Sequence, residues 1–132
     1  MRYSLRLDLA DAKRIAREAR ARAKKLGIFV SVVVLHDSGQ LIYLERQDRA
    51  QFQTPEVAKG KALTAVMMRK PSKDIEDATL SRPTLATFHD GRLPIQGGYP
   101  LVSEDVRAGA IGVSGGTPDQ DDQIAHAGAQ AL

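Results

Sequence analysis

The chain has no cysteine and no tryptophan, and only three Phe and three Tyr among its 132 residues. Without a thiol there is no disulfide framework, no thiolate nucleophile and no Cys-ligated zinc or iron–sulfur site. Long apolar runs are missing as well. Nothing approaches the roughly 18 consecutive apolar residues of a membrane span, so no membrane is expected as a partner. The N-terminus carries Arg2 and Arg6 and reaches Asp8, Asp11 and Lys13 without an apolar segment between, which is not the pattern of a signal peptide. The expected location is cytoplasmic. The net charge is only +3. Cations are densest where Lys13, Arg14, Arg17, Arg20, Arg22, Lys24 and Lys25 face one acid, Glu18, and no aromatic interleaves with them to stack on bases. That pattern favours a solvated helix face, and no nucleic acid is expected as a partner.

What is present fits a globular chain: 42% hydrophobic and 27% charged residues over a length suited to one core, hence one domain over residues 1–132. Leu7–Leu26 shows apolar residues at three- and four-residue steps, with Asp8 or Asp11 to cap it and Gly27 to end it. Ile28–Leu35 is β-branched and short, a strand buried on both faces. His36-Asp37-Ser38-Gly39 is a turn, and Gln40–Arg46 returns as the second strand of an antiparallel hairpin. Thr54-Pro55-Glu56 opens a helix with a capping Thr and a first-turn proline, ending before Pro71. Ser72 carries the cap signature of a short helix. Strands are expected at Leu93–Ile95, Tyr99–Val102 and Arg107–Val113, and Thr117-Pro118-Asp119 starts a last helix. The fold class is therefore α+β: a mainly antiparallel sheet flanked by helices in an α/β sandwich.

The chemistry-bearing candidates are few. No pair among His36, His89 and His126 has metal-ligand spacing, so no metal site is expected. His36 reads as a turn residue and His126 as a core or interface residue. His89 stands in an irregular segment between Phe88 and Asp90 and is the best histidine for a direct role. Gly60-Lys61 lacks the glycine-rich run of a phosphate loop and lies inside a helix, where a snorkelling lysine is the common case. Gly112-Val113-Ser114-Gly115-Gly116 matches the Gly-x-Ser-x-Gly elbow literally, but Asp121, Asp122 and His126 follow too closely to fold back as a triad. A cradle is the better reading. Gly115 and Gly116 free successive N–H groups at the positive end of the Thr117 helix, which favours a carboxylate or phosphate. A glycine-rich connection without a ligand is the plain alternative.

Lys61-Ala62, Gly97-Gly98-Tyr99-Pro100-Leu101, Gly109-Ala110-Ile111-Gly112-Val113-Ser114-Gly115-Gly116, Gln120-Asp121 and Ala125 together resemble the GlcG/HbpS-like family. That family spans haem-binding sensor proteins, glycolate-operon proteins and the C-terminal domain of PduO-type corrinoid adenosyltransferases. The resemblance covers nearly the whole chain and implies a profilin-like fold assembled as a homo-oligomer. It also implies a pocket for a small-molecule ligand, built by Lys61, Gly97, Gly98, Pro100, Ser114, Gly115 and Gly116. Haem is the cofactor most often linked to the family, although none of the three histidines matches a family motif. The expected function is thus a binding protein for haem, another tetrapyrrole or a small organic acid. The alternative is a small tautomerase, hydratase or other lyase of an organic acid, with His89 and Asp121 as catalytic acid–base groups and Lys61 or Arg46 on the substrate carboxylate.

Overall fold

The structure, a computed structural model, describes residues 1–2 and 6–132. Helix α1 (Leu9–Leu26) leads into strands β1 (Ser31–His36) and β2 (Leu41–Arg46), followed by helices α2 (Thr54–Met68) and α3 (Ser72–Ser81). A 3-10 turn (Pro83–Ala86) then precedes β3 (Gly98–Ser103), β4 (Val106–Ser114) and helix α4 (Pro118–Ala129). The strands form one sheet in the order β2-β1-β4-β3, and all three pairings are antiparallel. This is the expected α+β fold with helices on both faces.

Alternation along β1 divides the core. Val32 and Val34 pack with Ile15, Ala16 and Ala19 of α1 and Ile124 and Ala125 of α4, whereas Val33 and Leu35 pack with Ala58, Ala62 and Ala65 of α2. With both faces covered, Ser31–Leu35 is buried throughout, as its β-branched composition predicts. Among the described residues no helix is long and apolar enough to cross a membrane.

Helix α2 lies unusually close to the sheet because glycines floor it. Gly98 of β3 and Gly112 of β4 are cross-strand partners. A Cβ on Gly112 would stand 1.9 Å from the Ala58 carbonyl oxygen, and one on Gly98 would stand 2.1 Å from that of Lys61. The backbone of α2 thus rests directly on these two residues.

The helix ends divide into two groups. Asp8 and Asp11 form a reciprocal capping box on α1, Gly27 closes it at φ 72°, and Thr117 with Gln120 forms a second box on α4. The other two caps differ from expectation. Thr54 is the first residue inside α2, not its cap; its hydroxyl donates to the Gln51 carbonyl at 2.7 Å and accepts from Ser31 Oγ at 2.8 Å. Ser72 likewise lies inside α3, donating to the Ile95 carbonyl at 2.6 Å and accepting the Gly98 N–H at 2.8 Å. The strand expected at Leu93–Ile95 does not form. Pro94 has no N–H for a ladder, and Leu93 is held by α2 instead: its N–H donates to Gly60 O at 3.0 Å and its carbonyl accepts from Thr64 Oγ1 at 2.8 Å.

Because the Gly112 contact is backbone against backbone, no rotamer change relieves it. Gly112→Ala is expected to destabilise by roughly 3 kcal/mol, the upper end for overpacking. Gly27→Ala, with open space around its Cβ, is expected to lose only the left-handed conformation, about 1 kcal/mol. Urea midpoints of the two variants check the order, which reverses if α2 can lift freely.

Candidate functional site

The sequence candidates converge at the end of β4, though not around an open pocket. Lys61 sits on the sheet-facing side of α2 and is 2% exposed, so it is not the snorkelling surface lysine expected of a helical position. Its stem passes Gly97, where a Cβ would lie 2.9 Å from both Cδ and Nζ. Gly97, at φ 122°, has left-handed backbone that glycine adopts without strain. Lys61 Nζ then donates to Asp121 Oδ2 at 2.9 Å and to the Val113 carbonyl at 3.0 Å. Val113 in turn donates its N–H to Gly97 O at 2.8 Å, closing a ring of contacts around the ammonium.

Asp121 lies in the first turn of α4. Its Oδ1 accepts the Gly116 N–H at 2.8 Å, and both side chains of the ion pair are 3% exposed. At the Ser114–Gly116 turn the Gly116 N–H does hold a carboxylate, and that carboxylate belongs to the chain itself. Burial pushes the Asp121 carboxyl above the usual carboxylate range, opposed by the Lys61 ammonium and the glycine N–H groups. Ser114 is buried at the end of β4, paired in register with Ser31.

Lys61, Gly97, Gly98, Gly116 and Asp121 are thus brought together; His89 is not. It is exposed on the connection between the 3-10 turn and β3, beside Phe88, whose ring carries the Arg92 guanidinium at 3.8 Å. Among the described residues no cluster of three or more metal-ligating side chains occurs.

The outward face of the Gly97–Pro100 segment is open. Tyr99 points away from α2, and its ring lies 4.9 Å from that of His126 on α4, tilted by 35°. With Pro71, Pro100, Val102 and Ala129 these two rings line a shallow groove of about 300 Å³. Neither ring nitrogen of His126 is hydrogen-bonded among the described residues, and Asp122, one turn earlier, is near enough to feel its charge. Burial raises the Tyr99 hydroxyl above its ordinary value. Reading His126 as a core or interface residue does not by itself reveal this groove. The available signal was strand alternation: if Gly98 faces α2, Tyr99 faces the opposite layer.

The family described as haem degrading protein HbpS-like matches residues 7–130. Protein GlcG of Escherichia coli K12 is 31% identical over 114 residues, covering 86% of this chain and 85% of GlcG. The crystal structure of HbpS is similar with a TM-score of 0.93 and 35% identity, covering 100% of this chain and 94% of that one. PduOC, solved as a complex with haem, gives a TM-score of 0.88 and 26% identity, covering 97% of this chain and 96% of that one.

Removing one partner of a buried pair leaves an uncompensated charge in the interior. Lys61→Met and Asp121→Leu are each expected to destabilise by about 3–5 kcal/mol, and the two together by much less than their sum. A double-mutant cycle by urea unfolding measures this. Single losses under about 1 kcal/mol would mean that the pair behaves as a solvated one.

Proposed function

The chain belongs to the HbpS-like family, and on that premise we propose that it is a small-molecule binding protein whose ligand is haem or a closely related tetrapyrrole. The observation that carries this reading is the likeness over nearly the whole chain to PduOC, whose solved structure is a haem complex. The groove of Tyr99, Pro100 and His126 supports it on this chain. Its lining is mostly apolar or aromatic, as the face of a macrocycle requires, and it holds an imidazole with both nitrogens free of protein hydrogen bonds among the described residues. No lysine or arginine lines it.

When bound, haem supplies an iron that accepts a nitrogen ligand and a visible absorption band that reports occupancy. His126 would offer that nitrogen. The Tyr99 ring packs against the imidazole and restricts its rotation, and Pro100 forms the adjoining wall. Lys61 and Asp121 act one layer behind, fixing α4 so that His126 faces β3. Gly97, Gly98, Ser114, Gly115 and Gly116 give that frame its close packing.

Binding is favoured over turnover. The acid–base candidates do not share a cavity: Asp121 is committed to Lys61 and Gly116, and His89 is in water. A small organic acid is less favoured than haem because the N–H cradle that would take its carboxylate already holds one. A homo-oligomer belongs to the same reading, since Leu80 and Phe88 leave large apolar side chains in water.

Titration with haemin is expected to give a saturable Soret shift at stoichiometric loading. His126→Ala is expected to lose that shift at an unchanged urea midpoint, because the residue is exposed. No shift in the parent protein overturns the haem assignment. An undiminished shift in His126→Ala overturns the placement.

A further inference from the structure

All three phenylalanines of the chain, Phe29, Phe52 and Phe88, are exposed, and each has an arginine guanidinium over its ring. Burial is the ordinary fate of phenylalanine, so this placement needs a reason. Two of the three carry arginines that lie three residues apart, Arg46 and Arg49. Phe29, in the connection from α1 to β1, carries Arg49 at 5.5 Å, and Phe52, just before α2, carries Arg46 at 4.9 Å. The fold thus supplies what the sequence of α1 lacks, an aromatic ring set among its basic residues.

We propose that the surface around Phe29 is a second ligand site, taking a planar aromatic ring that bears a phosphate, as in a nucleotide. Phe29 is the shared wall of two grooves. One, of about 470 Å³, is lined by Lys24, Gly27, Ile28 and Gln47 among others; the other, of about 390 Å³, is lined by Arg46, Asp48 and Arg49. Both volumes fall in the ordinary range for small-molecule sites. Gly27 has nothing within 4 Å of where its Cβ would stand, so the space beside the ring is open.

The charges divide by task. Arg20 is paired with Glu45, and Arg46 donates to the carbonyls of Gln47, Asp48 and Ala50, so both are committed to structure. Lys24 and Arg49 form no ion pair among the described residues; Lys24 lines the first groove with Phe29 and Arg49 lines the second. A base stacks on the Phe29 face that Arg49 does not cover, while the guanidinium keeps its cation–π contact with the ring from the other side. The phosphate is assigned to Lys24, because no carboxylate lines its groove, whereas in the other groove Asp48 offsets one of the two guanidiniums. A ring alone leaves Lys24 unused and a phosphate alone leaves Phe29 in water; the two together satisfy both.

Calorimetric titration with ADP tests this. Saturable binding is expected, with adenosine and ribose 5-phosphate each about ten-fold weaker or more. Phe29→Ala is expected to weaken ADP about ten-fold, and Lys24→Gln to weaken it and flatten its salt dependence. Phe29 is 44% exposed, so the Ala variant should keep its urea midpoint and its haemin response. A short oligothymidylate that bound more tightly than ADP, with the same Phe29 dependence, would support the site and place the ring in a strand. No ADP binding at millimolar concentration, equal affinity for ribose 5-phosphate, or indifference to Phe29→Ala would overturn the proposal.

Discussion

The ion pair between Lys61 and Asp121 is the constraint on which the arrangement turns. Its two charges come from helices on opposite faces of the sheet and meet at the end of β4, each almost removed from water. Desolvation of two such groups costs several kcal/mol per ion, repaid only where geometry is good and the remaining donors and acceptors are satisfied. Here the ammonium reaches a carboxylate and a carbonyl, and the carboxylate reaches the ammonium and a backbone N–H. A slide of either helix along the sheet would break these contacts together. The pair therefore contributes less to net stability than to fixing where α2 and α4 stand.

That constraint explains why the glycine string was only half legible in the sequence. Gly97, Gly98 and Gly112 do mark close approach, as glycines in strands suggest. A ligand and a helix backbone leave the same trace in one dimension, however. In the structure the approaching groups are the Lys61 stem and the carbonyls of Ala58 and Lys61. Ser114–Gly116 followed the same logic: N–H groups at a helix start attract an anion, and Asp121, five residues beyond Gly116, is the anion nearest to hand. A carboxylate held on the same chain has the advantage over one from solution, since its ordering cost was met on folding.

Local signals succeeded where their partners were also local. Asp8 with Asp11 and Thr117 with Gln120 cap helices through groups three residues apart, and Gly27 ends α1 by its own backbone. Thr54 and Ser72 carry the same residue chemistry and cap nothing, because Ser31 and the Ile95–Gly98 stretch offer distant partners that sequence spacing cannot reveal. Pairings of this kind also hid the Tyr99–His126 groove and the Phe29 surface, each assembled from residues more than 15 positions apart.

Strand β3 joins the frame to the exposed surface. Successive side chains on a strand point to opposite faces, so the register that sets Gly98 beneath α2 also turns Tyr99 toward α4 and His126. A slip by one residue would drive the Tyr99 side chain into the α2 backbone and remove the ring from the groove. The 2.8 Å bond from the Gly98 N–H to Ser72 Oγ, with the Val113 N–H on Gly97 O, resists that slip from both neighbours. The glycines thus have consequences on the face they do not occupy. By letting α2 close down and pinning β3 in one register, they determine which side chains the edge of the sheet presents at the surface.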